Sequence, residues 1–287
     1  IVAGVARLST NWIVNKIATV YIELIRNTPL LVQLFFWYFA VLFKAPPVKE
    51  SLQLPGPIFV HRRGVSIPWA SPSLSFQTWL FFLVGGIVVA IAAGAILTHI
   101  QVNTGRSTYP FLVAVAALVL IPGLGWILAG ESPLIWEAPV LVRFNFQGGL
   151  TLTPEFTALL LGLVVYTAAF IAEVVRAGIL AVQRGQIEAA HALGLTGMQT
   201  LRLVIFPQAL RVIIPPLTSQ YLNLAKNSSL AVAIGYPDLY SVGGTIYNQT
   251  GRPVPVVAMI TGSYLIMSLV TSILMNIYNR WVQFVEK

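Results

Sequence analysis

The 287-residue chain contains no cysteine. Disulfide bonds, thiolate metal sites and cysteine nucleophiles are therefore excluded. Charge is scarce too: Asp, Glu, Lys and Arg make up 9% of the residues, against roughly a quarter in an average soluble domain. Such a chain cannot cover a water-facing surface in the ordinary way. The sequence G-x-x-x-x-G-K-[ST] is absent, so nucleotide is not cradled by that loop. H-E-x-x-H and G-x-S-x-G are absent as well, and His61, His99 and His191 are scattered. No metal site, catalytic residue or cofactor on this chain is expected. What is abundant is apolar: 57% of residues are hydrophobic and mean hydropathy is +0.81. Seven Trp and ten Tyr suit the belts that form where helices cross the headgroup region. The net charge of +8 comes without a basic run interleaved with aromatics, which argues against nucleic acid. Basic residues of membrane proteins collect on cytoplasmic loops instead. The expected class is an all-α, polytopic transmembrane helix bundle, with the lipid bilayer as its solvent.

A spanning helix takes about 20 apolar residues. The opening Ile-Val-Ala-Gly-Val-Ala lacks an initial Met and reads as the tail of a span that begins upstream. Thr28 and Pro29 start the next span, expected over 28–44, with Thr28 as cap and Pro29 at the first helical position. Further spans are expected at 77–98, 110–130, 154–182, 209–234 and 254–279, about seven in all with the tail. In the 77–98 span Gly86, Ala90 and Gly94 lie four apart, a small-residue stripe that lets helices approach closely. Thr153-Pro154-Glu155 is a strong helix start of cap, proline and acid.

Residues 44–76 hold Pro46, Pro47, Pro55, Pro57, Pro68 and Pro72; repeated proline forbids a long helix, so an aqueous loop is expected there, and another over 130–153. Residues 7–27, 99–109, 183–208 and 280–287 then fall on one side. That side carries the larger share of Lys and Arg, Arg7, Lys16, Arg26, Arg106, Arg184 and Lys287 among them. It is the cytoplasmic side by charge bias. The expected division is 1–44, an inserted 45–149, and a core 150–287 that contains the loop 183–208.

The most informative stretch runs from Gln186 to Pro216: QIEAAHALGLTGMQTLRLVIFPQALRVIIPP. It is too polar to cross a membrane, yet Ile187, Ala190, Leu193 and Leu195 are apolar at helical spacing. An amphipathic helix between two spans suggests a part that docks. Gly194 breaks it so that the chain can turn, and Pro207 ends the loop. This segment resembles the EAA loop of ABC importer permeases, E-A-A-x-x-x-G followed after nine residues by I-x-L-P. Glu188, Ala189, Ala190, Gly194 and Pro207 match it, with Val204 and Phe206 as apolar replacements. Other segments narrow the resemblance to polar and general L-amino-acid permeases with the MetI-like fold. Arg26-Asn27-Thr28-Pro29-Leu30-Leu31-Val32-Gln33 is similar to R-x-T-P-L-L-V-Q, and Glu173 to Ile179 to E-x-x-R-x-G-I. Phe206 to Arg211 and Lys226 to Leu230 are similar to L-P-Q-A-x-R and K-D-T-S-L. Residues 45–149 are absent from the minimal five-span permease and resemble the insertion of the general L-amino-acid group.

The resemblance implies a permease subunit of a binding-protein-dependent importer in the bacterial inner membrane, its C-terminus cytoplasmic. It carries L-amino acids, polar or of broad range, by alternating access. Its implied partners are a dimer of ATP-binding subunits, which hold ATP and Mg, a second permease subunit (a paralogue or the same chain) and a periplasmic amino-acid-binding protein. The EAA loop would be the coupling helix, gripped by the ATPase. Glu188 is read either as pairing with a basic residue of that ATPase or as capping its own helix. Glu173 and Arg176, three apart, suit a local ion pair; Arg26 suits headgroups or a gate. Pro215-Pro216 removes backbone hydrogen bonds inside a span. Gln220, Asn223 and Asn227 share one helix face, either lining the substrate path or bonding another helix. Some relatives carry an acid where this chain has Gln220, and many have Asp at Asn227, so strict selectivity for arginine or lysine is not expected. Lys226, in the same stretch, suits a carboxylate or a cytoplasmic partner. The alternative is a secondary transporter or channel without an ATPase, which calls for inverted halves with matching broken helices; none is evident.

Overall fold

The computed structural model describes residues 1–282; residues 283–287, with the expected cytoplasmic Lys287, lie outside the described residues. The chain opens with α1 (Val2–Ala6), five residues long, where the tail of a span was expected. α2 (Trp12–Arg26) follows, where the sequence suggested a loop over 7–27. Its apolar positions are interrupted by Asn15, Lys16 and Glu23, which hides it from a hydropathy reading. Asn11 caps it, its side-chain oxygen accepting from the amides of Ile13 and Val14. α3 (Leu30–Phe35) continues as a π-helical turn over Phe36–Leu42. The two pieces meet at 105°, so the span expected over 28–44 is the second arm of an elbow.

The proline-rich stretch holds β1 (Leu52–Leu54), β2 (Ile58–His61), β3 (Gly64–Ile67) and β4 (Trp69–Pro72). α4 (Phe76–Thr104) and α5 (Pro110–Ala129) come next. Then β5 (Leu134–Glu137), β6 (Val140–Val142), β7 (Asn145–Gln147) and β8 (Leu150–Leu152) occupy the second expected loop. Strands of three or four residues are too short to display a two-residue period, and proline is tolerated at their ends. α6 (Pro154–Leu180), α7 (Arg184–Ala192), α8 (Gly197–Thr200) and a π-turn over Leu201–Ile205 lead into α9 (Phe206–Asn227). A 3₁₀ segment, Ser228–Ile234, precedes α10 (Leu239–Thr250) and α11 (Pro253–Val282). The first turn of α10 is capped by Asp238, accepting from the Ser241 amide at 2.8 Å. Five described helices are long and apolar enough to cross a membrane, or six with the bent pair; these correspond to the six spans expected besides the opening tail, where α1 lies.

Two compact units divide the chain. One is Pro46–His61 with Val65–Leu152. Within it α4 and α5 form an antiparallel hairpin: Gly86 and Ala90 are buried, and a Cβ on Gly86 would meet the Ala117 carbonyl and Pro122 at 3.2 Å. Gly94, the third residue of the stripe, faces open space. The ribbon β4–β5 extends the hairpin, and Ser66 links His61 and Thr151 through bonds of 3.1 and 2.8 Å.

The other unit is Ile1–Ala45, Arg62–Gly64 and Thr153–Lys287. Its axis is α6, started as expected by Thr153, which accepts from the Phe156 amide at 3.2 Å. Small residues let neighbours close in on α6. Gly162 sits against Leu34, Ala172 against Gly4, and Gly178 against Ala209 and Ile213. One core cluster gathers Leu30, Leu34, Leu42, Ala158, Leu159, Ala231 and Ile234. A second joins Val175 and Val182 to Ala209 and Ile213. Much of the remaining apolar surface of α9 and α11 is exposed, as expected of helices solvated by lipid.

Candidate functional site

The elbow between α2 and α3 explains the Arg26–Gln33 motif. The Thr28 hydroxyl donates to the Leu24 carbonyl at 2.9 Å, folding back onto α2 instead of capping α3. Gln33, buried, donates through Nε2 to the Ile25 carbonyl (2.9 Å), the Thr28 carbonyl (3.2 Å) and the Thr28 hydroxyl (2.8 Å). The two N–H groups of this amide thus serve the Ile25 carbonyl at the end of α2 and Thr28 just beyond it, which fixes the bend. Gln33→Leu keeps the volume and removes the donors. It should destabilise the unit by about 1–3 kcal/mol, the cost of leaving buried carbonyls unpaired. A fall in the thermal midpoint of detergent-solubilised protein measures it.

At the end of α2 five charges meet. Arg7 places Nη2 2.6 Å from Glu23 Oε1 and Nη1 2.8 Å from Glu173 Oε2. Arg176 grips Glu173 Oε1 with two bonds, at 2.6 and 3.0 Å. Arg26 stands 4.0 Å from Glu173 Oε2, and its guanidinium lies over the Phe170 ring at 5.4 Å. The Glu173–Arg176 pair was legible from its spacing. The reach of Arg7 across 166 residues of sequence was not; no local signal carries such a contact.

The loop 183–208 folds into a tight elbow of its own. Gln183 precedes α7 without capping it. At its far end Gly194 takes φ +78°, a conformation a side chain resists. The Gly194 amide donates to the His191 carbonyl at 2.9 Å and that of Leu195 to the Ala190 carbonyl at 3.1 Å. This pair is the Schellman arrangement. Thr196 and Gln199 then close a capping box on α8. Ala190 is buried; Glu188 and Ala189 are exposed. The ion pairs among the described residues use Glu23 and Glu173, not Glu188, and α7 has no side-chain cap. Pro207 is exposed and lies inside a continuous helical run that begins at Gly197, so the return helix starts ten residues before the proline. The π-turn over Leu201–Ile205 widens the helix where the proline ring would otherwise strike the preceding turn. Leu193 is 82% and Met198 73% exposed, making an apolar tip at the elbow between α7 and α8.

Gln220, Asn223 and Asn227 do share a face. They line a cavity of about 240 Å³ with Leu224 and with Tyr166, Thr167 and Phe170 of α6. The α6 residues were missed because they sit inside an apolar span. The three polar positions on α9 were found from their spacing. Asn227 ends α9, where the helix tightens into 3₁₀ form; Ser228 and Ser229 donate to the Ala225 and Lys226 carbonyls at 2.8 and 2.7 Å. Lys226 is exposed, and Pro215 and Pro216 lie within α9.

The family model of the inner membrane component of binding-protein-dependent transport systems matches residues 102–284. The chain belongs to that family. A relative of the permease in Escherichia coli K12, the putative amino-acid ABC transporter permease protein YhdX, is 50% identical over 99% of this chain and 72% of its own length. The general L-amino acid transport system permease protein AapQ of Rhizobium johnstonii is 46% identical over 99% and 71%. A crystal structure of an amino acid ABC transporter with histidines superposes with a TM-score of 0.54, covering 97% of the permease and 81% of that chain at 23% identity. That likeness speaks for the fold: a mostly helical, membrane-embedded permease of MetI-like architecture.

Proposed function

We propose that this permease moves L-amino acids, polar and of broad range, into the cell, driven by ATP hydrolysis on a separate subunit. The observation that carries the reading is the α7–α8 elbow. It presents an unpaired acid, Glu188, beside the exposed apolar tip of Leu193 and Met198, held rigid by the Gly194 turn. That is the chemistry of a lever meant for a partner's groove: an apolar anchor with a charge at its rim. The partner is a dimer of ATP-binding subunits that carries ATP and Mg; this chain holds no cofactor. Of the two roles open to Glu188, the pairing across the interface is favoured, because no local partner occupies it. Ala189, Ala190, Gly194 and Pro207 shape the same lever. Gln220, Asn223 and Asn227 form the wall of the substrate path. A periplasmic amino-acid-binding protein delivers substrate, a second permease (a paralogue or this chain) completes the pathway, and the C-terminus faces the cytoplasm. The relatives named for amino-acid and general L-amino acid transport support the substrate class.

Glu188→Lys tests the lever. Placing like charges across an interface costs several kcal/mol, so ATP hydrolysis stimulated by the binding protein should fall more than about tenfold. The chain should still insert and run as a single species on size exclusion. Unchanged stimulation by the variant overturns the coupling role of the elbow.

A further inference from the structure

We propose that Arg26 is a specificity-determining residue, the receptor for a substrate carboxylate at the α6 wall of the path, so that the permease favours acidic and zwitterionic amino acids over cationic ones. This rests on the reading of the α6–α9 cavity as the substrate path.

The five-charge cluster leaves Arg26 over. Arg7, Arg26 and Arg176 bring three positive charges against the two of Glu23 and Glu173. Arg176 takes Glu173 Oε1 and Arg7 takes Oε2, each within 3 Å. Arg26 is left at 4.0 Å from Oε2, beyond hydrogen-bonding reach. Among the described residues its guanidinium makes no hydrogen bond. A guanidinium carries five N–H donors in a planar fork that matches a carboxylate. Arg26 is exposed, so this fork is uncommitted and open to an incoming anion. The group stacked against this cation is Phe170, which with Tyr166 and Thr167 forms the α6 wall of the cavity. Phe170 is thus shared: it carries the fork and lines the cavity with Gln220, Asn223 and Asn227.

The cavity lining contains amides, hydroxyls and apolar groups and no carboxylate. A substrate there finds acceptors for its ammonium group in the amide and hydroxyl oxygens. For its carboxylate, Arg26 is the cation stacked on a residue of the cavity wall; Lys226, adjacent to Asn227, is exposed. A second carboxylate on the substrate gains from the same field; an extra ammonium or guanidinium group loses. The slack 4.0 Å pair lets Arg26 turn from Glu173 to the substrate without stripping Glu173, which keeps its two shorter partners.

The test uses the full transporter, with its ATPase and binding protein, in liposomes made with and without anionic phospholipid. Uptake of L-glutamate, L-glutamine and L-arginine is followed at saturating binding protein, so that the readout is translocation and not capture. Arg26→Gln should lower glutamate uptake about tenfold, in line with loss of a charge-assisted bond, and lower glutamine uptake less. Arginine uptake should be unchanged or rise. Arg26→Lys should restore part of the glutamate rate. The same profile in both lipid mixtures supports the proposal. An equal loss for all three substrates overturns it and makes Arg26 a structural member of the cluster. An effect that vanishes without anionic lipid overturns it in favour of a headgroup site. Asn223→Leu separates the two readings: if it changes no uptake rate the cavity is not the path, whatever Arg26 does. If it slows all three substrates while Arg26→Gln does nothing, the path stands and the role of Arg26 falls.

Discussion

Gly178→Leu should leave little correctly folded permease. Gly178 is buried on α6 where α9 crosses it, and an added Cβ would overlap the Ile213 side chain and lie 3.2 Å from the Ala209 carbonyl. Backbone atoms cannot step aside as a flexible side chain can. Overpacking a tight contact costs about 1–3 kcal/mol and occasionally more, and here it separates the two helices that frame both the cavity and the second core cluster. Helix pairs in membranes depend on such close packing, because lipid offers no hydrophobic drive between them. Fluorescence-detected size exclusion should show loss of the monodisperse peak, and Gly178→Ala should fall between the variant and the parent. A matched control is Gly194→Ala. Its Cβ meets no neighbour, so only the left-handed backbone (φ +78°) is penalised, about 1 kcal/mol. Equal losses from the two substitutions would count against the α6–α9 contact as the cause.

Gly178 also marks where reading the sequence stops working. The spans α4, α5, α6 and α11 were legible because long apolar runs, a Thr153-Pro154 start and small-residue spacing are local signals. The turn at Gly194 was legible for the same reason: glycine after a helical segment commits the backbone before any packing does. α2 was not, since Asn15, Lys16 and Glu23 break its hydropathy, although the helix places Asn15 and Glu23 where Arg7 meets them. The strands between 52 and 72 and between 134 and 152 were not, because their pairing, such as Val65 with Leu152, joins residues far apart in sequence. The candidate site divides likewise. Gln220, Asn223 and Asn227 announce a polar face of α9. Nothing local announces that Tyr166, Thr167 and Phe170 stand opposite, or that Arg26 rests on Phe170.

Glu173→Ala should be the most damaging change of charge. The carboxylate is the one group holding Arg7, Arg176 and, at longer range, Arg26, and it ties the segment before α2 to α6. Removing one partner of a buried pair costs about 3–5 kcal/mol because the other charge stays behind unpaired. Glu173 keeps 22% of its side chain exposed, so water recovers part of that loss and about 2–3 kcal/mol is expected. Glu173→Gln retains the shape and one acceptor oxygen and should lose less. The double cycle with Arg7→Ala gives the sharper result. If the 2.8 Å contact works as drawn, the two substitutions are non-additive by about 0.5–3 kcal/mol, the Arg7 change costing less once Glu173 is gone because only its Glu23 partner is left to lose. Strict additivity in thermal unfolding would mean that the cluster is an arrangement of independent surface charges, and that Arg176 alone accounts for the stabilisation by Glu173. Arg176 is three residues along the same helix and remains beside Glu173 whatever the N-terminal segment does. Only the Arg7 arm reports on the tie between that segment and α6, which makes this cycle the direct measure of whether the two move as one body during transport.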